Sequence, residues 1–392
     1  MHNVAGSAVS TVETDRRGWW HSTSSIVIIY LLVAVGLYLQ SVLTGRYNNF
    51  IIFRSSWLHL TAGLPLYNAY QGEYYDYFLY HPSFPVLFSP FAIFPQQLGL
   101  LLWVLFSAGI FLYAISKLPL SGNARTTLFW FLLLELGNAL QSSQTNPAMT
   151  AFMLLTVVHL DKGNPGRAAF FTCLTFFIKG YGAVIGLVFL FYPKKWHYIQ
   201  YCFLFGIAGT LLPLLFISPD TLTGYYISWV ELLTGSTIKE DGSLLGFLHQ
   251  VWHVNDTIIL IAAIAALVVV FITGLLRQQA VTPWLVAAYL MIWIVIFNQS
   301  TESPTYIMAV TGVGFGLLLL PYNKWTTILL CTTFVVTCLC PTDLVPKVIN
   351  EIAVNYRVKA LPCFAVLLFL QWRLTTNYAT SNIKINNAPR FS

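Results

Sequence analysis

The most informative segment of this chain runs from Arg167 to Lys195 and reads RAAFFTCLTFFIKGYGAVIGLVFLFYPKK. It is apolar almost throughout, with basic residues at both ends and Lys179 near its middle. A helix needs about 20 apolar residues to cross a bilayer, so this stretch is long enough to enter a membrane. Because basic flanks collect on the cytoplasmic side, a single crossing would leave one basic end on the wrong side.

The middle of this stretch predicts how the conflict is resolved. Lys179-Gly180-Tyr181-Gly182 places two glycines beside a charge, and such interruptions are typical of broken helices at membrane depth. We therefore expect a hairpin of two half-helices that turns at Lys179 near the outer surface. The alternative is one long tilted helix that departs from the charge rule.

The composition extends the membrane interpretation to the whole chain. Of the 392 residues, 57% are hydrophobic and 9% are charged, and the mean hydropathy is +0.70. Soluble domains carry about 25% charged residues, so most of this chain belongs in lipid or in protein packed within lipid. The net charge of +6 is spread over several loops, which argues against a nucleic-acid partner.

Apolar stretches of spanning length recur along the chain and predict an all-α polytopic membrane protein. Counting the hairpin, we expect a bundle of about 11 to 12 transmembrane segments. The remaining spans are predicted at 25–43, 98–116, 126–140, 146–160, 198–217, 257–276, 282–298, 304–321, 324–340 and 360–373.

The connections between these spans sort by charge. One set is basic and is predicted to be cytoplasmic. Its members are Lys117, Arg125, Lys162, Arg167, Lys194, Lys195, Arg277, Lys324 and Arg373. The other set is predicted to lie outside and contains Asp76, Gln144, Glu240, Asp241 and Glu302.

This sorting predicts the organisation of the chain. We expect a cytoplasmic N-terminal segment at 1–23, a transmembrane domain at 24–374 and a flexible cytoplasmic tail at 375–392. Within the domain, the first outer loop at 44–97 is too long for a simple connector. Its leucines and aromatic residues predict short interfacial helices, so it is the predicted catalytic loop.

Short motifs on the predicted outer side carry a resemblance to a known family. In chain order they are NNFIIFR (48–54), GLPLY (63–67), YHPSFP (80–85), QTN (144–146), FIKG (177–180) and GSLLG (242–246). This succession resembles glycosyltransferase family 87, the bacterial polyprenyl-phosphate-mannose-dependent mannosyltransferases of the GT-C superfamily. That family typically reads D-x-x-x-Y, G-x-x-x-Y, Y-P-P, G-Q-x-N, I-K-P and S-L-x-G.

The resemblance implies a GT-C-like bundle and a transferase that moves a hexose, with mannose as the first candidate. The donor would be a polyprenyl-phosphate sugar and the acceptor a glycolipid or glycan of the cell envelope. The expected place is the extracytoplasmic side of a bacterial cytoplasmic membrane, in contact with membrane lipids and with both termini cytoplasmic. Such relatives generally need no metal, and no Cys/His spacing here resembles a metal site, so we expect no cofactor.

The chain departs from the family at the position of the expected general base. That position holds Asn49, and a carboxamide cannot accept a proton at neutral pH. Asp76, within an aromatic run, is the first candidate to replace it, and Glu302 is the second. Alternatively, Asp76 is an exposed loop acid that caps a short helix, and Glu302 caps the helix opened by Pro304.

A departing phosphate needs cations, and the sugars need hydrogen-bonding groups. Lys179 is the leading phosphate ligand, with a structural salt bridge to Glu135 as the alternative. Arg46 and Arg54 are further candidates, although arginine at a span end is equally typical of an interface anchor. The candidate sugar or acceptor ligands are Gln144, Asn146, His81 and Ser243.

Two other functions stay open at this point. The broken segment around Lys179 also fits a secondary transporter or lipid flippase, although the polar residues collect at one surface rather than at the midplane. Asn49 fits a non-catalytic relative that binds polyprenyl phosphate. The amides Gln144 and Asn146 have a structural alternative as well, because Asn146-Pro147 is typical of a helix start.

Overall fold

The computed structural model describes residues 22–235, 242–277, 279 and 281–376, and within these residues there are helices and turns but no β-strand. The α-helices are α1 (Thr23–Thr44), α2 (Asn48–Thr61), α3 (Phe84–Ala92), α4 (Gln96–Ser116), α5 (Gly122–Gln141), α6 (Asn146–Asp161), α7 (Pro165–Ile178), α8 (Lys195–Leu211), α9 (Pro219–Gly235), α10 (Leu244–Trp252), α11 (Asp256–Arg277), α12 (Thr282–Ile296), α13 (Tyr306–Leu319), α14 (Lys324–Thr332), α15 (Lys347–Asn355) and α16 (Ala360–Thr375). The all-α prediction is therefore confirmed.

The described residues also form 3₁₀ helices and a π-helix. A 3₁₀ helix, Gly180–Phe191, follows α7, and a π-helix, Thr333–Leu339, continues α14. Most of the predicted segment 1–23 and of the predicted tail 375–392 lies outside the described residues, as do Glu240 and Asp241.

Length and composition identify the membrane-crossing helices. Four described helical segments qualify, namely α1, α4, Lys195–Leu215 and α11, and the pair α15–α16, bent by 59°, would make a fifth. Shorter apolar helices of 10–17 residues lie between them. The chain is thus an all-α polytopic membrane protein.

The centre of the bundle is formed by α12 and α13, whose residues are nearly all buried. Small residues allow the two backbones to approach closely. A Cβ added at Gly312 would lie 2.7 Å from the carbonyl oxygen of Ala288, and one at Gly316 would lie 2.8 Å from the Ala288 Cβ. Apolar helices buried on all sides, with small residues at their crossing, are typical of membrane bundles.

The hairpin predicted at Lys179 is confirmed. Lys179 has an extended backbone between α7 and the 3₁₀ helix. A Cβ added at Gly182 would lie 2.9 Å from the Thr175 side chain, and one at Gly186 would lie 2.9 Å from Thr172. Because residues further after the turn meet residues further before it, the two segments run antiparallel, and the single long helix is excluded.

The two ends of the bundle differ in charge. We call the end with the basic connections the basic face; there Lys194 Nζ donates to the Gly163 carbonyl (3.4 Å) and Arg277 donates to the carbonyl oxygens of residues 374–376. We call the opposite end the loop face. It carries α2, α3 and the turns after α5, α7 and α12. The predicted loop at 44–97 thus contains two short helices, α2 and α3.

Candidate active site

Tyr80 lies at the centre of the candidate site, in the loop between α2 and α3. Its ring packs against Phe53 of α2 and Phe84 of α3, at centroid distances of 4.9 and 4.5 Å. The Tyr67 hydroxyl donates a hydrogen bond of 2.9 Å to the Tyr80 carbonyl oxygen. Backbone and ring are therefore both fixed, and only the phenol end is left to face the turns of the loop face.

Two carboxylates and one cation gather around this phenol. Burial raises the pKa of Tyr80 well above its usual value; the hydrogen bond to Thr145 lowers it, and the negative charges of Glu302 and Asp76 raise it further. Lys179 Nζ lies 5.5 Å from the centroid of the Tyr80 ring. Since the effect of a charge weakens with distance, these contributions indicate that Glu302 and Asp76, like Lys179, lie in the neighbourhood of the Tyr80 phenol.

Gln144 bridges the phenol and one of the carboxylates. Its Oε1 accepts a hydrogen bond of 3.4 Å from the Tyr80 hydroxyl, and its Nε2 donates one of 3.1 Å to Glu302 Oε2. The N-cap of α6 is Thr145, which makes no side-chain cap bond. The structural alternative in which Gln144 and Asn146 cap this helix is therefore wrong.

Two side chains hold the turn before Gln144 by hydrogen bonds to its backbone. Asn49 Nδ2 donates to the Ser142 carbonyl oxygen (2.8 Å), and the Trp103 indole donates to the Ser143 carbonyl oxygen (3.0 Å). The Asn49 carboxamide thus acts as a donor. A carboxylate at this position would have no proton to give and would face a carbonyl oxygen.

The neighbouring Asn48 is hydrogen-bonded to the backbone of the loop that contains Asp76. Its carboxamide donates to the Tyr75 carbonyl oxygen (2.6 Å) and accepts from the Tyr75 backbone N–H (3.1 Å). Asp76 is exposed, has a φ of 87° and accepts from the backbone N–H of Tyr77 at 2.8 Å. The expectation of an exposed loop acid is therefore confirmed, whereas the expected helix cap is wrong, because Asp76 closes its own turn.

Glu302 lies on the connection from α12 to α13. The backbone of Gly242, which belongs to another loop, is hydrogen-bonded to residues on both sides of it. The Gly242 N–H donates to the Thr301 carbonyl oxygen (2.8 Å), and the Tyr306 hydroxyl donates to the Gly242 carbonyl oxygen (2.6 Å). Glu302 occupies the N-cap position of the short 3₁₀ turn Ser303–Thr305, but its side chain makes no cap bond there. Its carboxylate binds Gln144 instead.

Among the described residues, Lys179 has no carboxylate partner. It makes no ion pair within 4.0 Å of any described residue. The alternative pairing with Glu135 is wrong, because Glu135 Oε1 pairs with Lys359 Nζ at 2.7 Å. Lys359 also donates to the side-chain oxygen of Ser303 (3.1 Å), the residue after Glu302.

The two arginine candidates lie apart from this hydrogen-bonded cluster. Arg46 is exposed immediately after α1. Arg54 is half-buried on α2, and its Nε is buried without a hydrogen-bond partner. Within the described residues, no hydrogen bond or ion pair joins either one to Tyr80, Lys179 or Glu302.

Asn146 is the most unusual of the amide candidates. The residue is 0% exposed, and neither its Nδ2 nor its Oδ1 has a hydrogen-bond partner among the described residues. Burying a carboxamide without partners costs about 1–3 kcal/mol. The group lies two residues after Gln144, next to the cluster around Tyr80.

The side chains of His81 and Ser243 are buried and accept hydrogen bonds from nearby backbone N–H groups. His81 is buried beside Phe177 and Trp229, and its Nδ1 accepts from the Ser83 backbone N–H (3.1 Å). Burial lowers the pKa of His81 to about 4, so the ring is neutral at pH 7. Ser243 is also fully buried, and its hydroxyl accepts from the Gly246 N–H as the N-cap of α10.

Three residues of the site were not among the sequence candidates. They are Tyr80, its neighbour Tyr181, on which the charges of Lys179 and Glu302 both act, and Asn48. Tyr80 carried a signal, because it begins the motif at 80–85 that contributes to the family resemblance. Asn48 likewise begins the motif at 48–54, whereas Tyr181 carried no signal beyond its position beside Lys179.

The arrangement suits acid–base chemistry near an anion. Its carboxylates can accept a proton, Lys179 can neutralise a negative charge, and Gln144 and the phenol can orient hydroxyl groups. Within the described residues, no group of three or more His, Cys, Asp and Glu side chains is arranged to hold a metal ion.

A comparison with protein families bears directly on this geometry. The family model described as "Glycosyltransferase family 87" matches residues 78–298, which is more than half of the chain. The match includes Tyr80, Gln144 and Lys179 and ends before Glu302. No curated protein matches the chain. The resemblance drawn from the short motifs is confirmed, and the chain belongs to glycosyltransferase family 87.

Proposed function

We propose that this membrane glycosyltransferase moves a hexose, with mannose as the first candidate, from a polyprenyl phosphate to a glycolipid or polysaccharide acceptor. The observation that carries the proposal is that Lys179 and Glu302 flank the Tyr80 phenol without pairing with each other. Charges held close together but left unneutralised are available to a substrate that carries both an anion and a hydroxyl group.

We place the reaction on the extracytoplasmic side of a bacterial cytoplasmic membrane. The charge rule supports this orientation, since the basic face then lies in the cytoplasm with both termini and the loop face lies outside. A lipid-borne donor would keep its phosphate at the membrane boundary, which is where the loop face lies.

In the proposed reaction, the acceptor oxygen bonds to the anomeric carbon of the sugar. The bond from that carbon to the phosphate oxygen breaks, and the phosphate leaves with the bonding electron pair. A carboxylate takes the proton of the acceptor hydroxyl, and Lys179 offsets the charge that develops on the phosphate. Arg54, whose Nε lacks a partner, is a second candidate for the phosphate.

We propose Glu302 as the base ahead of Asp76, which reverses their order from the sequence. The carboxylate of Glu302 is oriented by Gln144, and its charge reaches Tyr80 and Tyr181. The carboxylate of Asp76 instead accepts the N–H of its own turn. An oriented carboxylate is the better general base, because proton transfer requires a fixed short distance to the hydroxyl group.

The remaining candidates divide by their surroundings. We propose that Gln144 and Asn146 bind sugar hydroxyl groups, since Asn146 has unused donors and an unused acceptor. For His81, Ser243 and Asn49 we propose positioning roles, because their polar groups already hold the backbone of the site.

The test is sugar transfer from radiolabelled polyprenyl-phosphate mannose, with the glucose analogue in parallel, in membranes that contain the full-length protein. Glu302→Gln should slow transfer by about 10²- to 10⁴-fold, the range of general-base catalysis. Asp76→Asn should slow it less.

Glu351→Gln provides the matched control, since Glu351 is an exposed residue of α15 paired with Lys347. It should leave the rate unchanged. Wild-type rates in both Glu302→Gln and Asp76→Asn would remove the proposed base. Transport of the lipid without transfer of sugar by the wild-type protein would favour the flippase.

A further inference from the structure

A cavity of about 380 Å³ opens on the basic face, at the end of the bundle opposite to the candidate active site. It lies between the starts of α7 and α8. Its lining residues are Asn164, Pro165, Gly166, Arg167, Lys194, His197 and Tyr201. Among the described residues, its lining therefore includes two permanent cations and one histidine but no carboxylate.

The cations of this cavity are not neutralised within the described chain. Arg167 and Lys194 are exposed and form no ion pair with a described residue. The carboxylate nearest in sequence, Asp161, accepts a hydrogen bond from the Tyr192 hydroxyl at 3.3 Å instead. The only hydrogen bond from the Lys194 ammonium to a described residue is a 3.4 Å contact with the Gly163 carbonyl oxygen.

Two helix starts add backbone donors to the same cavity. The N-caps of α7 and α8 are Asn164 and Lys194, and neither makes a side-chain cap bond. The first N–H groups of a helix have no intrahelical acceptor, and here they include those of Gly166, Arg167 and His197. Exposed N–H groups at a helix start favour an anion, and so do the neighbouring cations.

An apolar surface continues from the cavity along the bundle. The Tyr201 ring lies against Gly166, where an added Cβ would be 3.4 Å from it. Below Tyr201, Phe205 of α8 and Phe170 of α7 have ring centroids 5.6 Å apart, and Phe170 is 43% exposed. A ligand bound here would have an anionic head in the cavity and a hydrocarbon chain along these rings.

We propose that this cavity binds the phosphate of a membrane lipid, a site separate from the one that performs sugar transfer. The phosphate lies between Arg167, Lys194 and the two helix starts, and the acyl or prenyl chain packs on Phe170 and Phe205. Basic cavities between helices on the cytoplasmic side are the kind of site that binds anionic head groups.

The site is tested on the full-length protein in detergent, with lipid binding followed by native mass spectrometry. The probes are phosphatidylglycerol, a polyprenyl phosphate, phosphatidylcholine and inorganic phosphate. The double variant Arg167→Gln and Lys194→Gln should bind phosphatidylglycerol or the polyprenyl phosphate about thirtyfold more weakly than the wild type, since each basic residue contributes about fivefold near an anionic surface. Thermal unfolding verifies that the variant is folded.

A control removes two charges of the same face outside the cavity. Lys117→Gln with Lys324→Gln should change binding by less than about threefold. Because the proposed catalytic site also binds a polyprenyl phosphate, the lipid of this cavity is the one whose binding is weakened more by the double variant of Arg167 and Lys194. The proposal would be overturned if the two double variants lost affinity equally. It would also be overturned if phosphatidylcholine or inorganic phosphate bound as tightly as the anionic lipids.

Discussion

The loop face holds two sets of lysine and glutamate that the fold treats in opposite ways. Glu135 and Lys359 are buried and pair directly at 2.7 Å. Lys179 and Glu302 lie around the Tyr80 phenol and do not pair with each other. The charges of the first set pair with each other, whereas those of the second make no ion pair with a described residue.

The difference indicates a division between support and chemistry. Burying two charges costs desolvation energy, and their mutual attraction offsets this cost only when the geometry is good. We therefore expect a buried ion pair to contribute mainly to a defined structure. Here the pair also holds Ser303, which follows Glu302 in the chain. We propose that the paired set helps to position Glu302 through Ser303, and variants of the two sets separate the two roles.

The largest expected effect comes from breaking the buried pair. Lys359→Met leaves Glu135 buried without its partner, which should lower the free energy of unfolding by about 3–5 kcal/mol. Thermal unfolding in detergent measures this change. Adding Glu135→Leu to Lys359→Met should recover part of the loss, and a stable single variant would contradict a supporting role for the pair.

Removing the unpaired cation should affect the rate rather than the stability. Lys179→Met should slow sugar transfer by about 10²- to 10³-fold, the usual result of removing one group that stabilises a developing oxyanion. The melting temperature should stay near that of the wild type, because no ion pair with a described residue is lost. Lys179→Arg keeps the charge and should retain more of the rate. A strongly lowered melting temperature would assign Lys179 to the supporting set.

His81 should make the loop face sensitive to acid. Its pKa of about 4 in the folded protein lies below the value of about 6.5 in the unfolded chain, so the unfolded chain binds a proton first as the pH falls. The stability from a neutral His81 is complete above pH 6.5 and is lost between about pH 6.5 and 4, by at most about 3 kcal/mol. Melting temperatures of the wild type and His81→Gln across this range test it. Parallel pH curves would contradict the assignment.

The smallest expected effect concerns the departure from the family pattern. Asn49→Asp restores the acidic residue but removes the donor that binds the Ser142 carbonyl oxygen. We expect a loss of about 1–3 kcal/mol in stability and no gain in transfer rate. A faster Asn49→Asp variant would show that the base belongs at position 49.

Sequence patterns predicted which segments form helices better than they predicted which side chains come into contact. The hairpin at Lys179 followed from charge and glycines, and the predicted spans correspond to helices within a few residues at most ends. The bend between α15 and α16 was missed, because apolar length alone does not indicate a change of direction between two short helices.

The candidate site shows the same limit. Lys179 and Glu302 stood out because a charge within or beside an apolar stretch is costly. The pairing of Glu135 with Lys359 could not be predicted, since the two are far apart in the chain and neither lies in a motif. Hydropathy identifies which groups need a partner, whereas only helix packing determines which partner they meet.

The most direct test of the central claim is a double-variant cycle of sugar transfer with Lys179→Met and Glu302→Gln. Groups that act on one substrate in one step are strongly non-additive. Each single variant should slow transfer by about 10²-fold or more. The double variant should then be slowed far less than the product of the two effects. Single variants that transfer sugar at the wild-type rate, or losses that multiply, would contradict it.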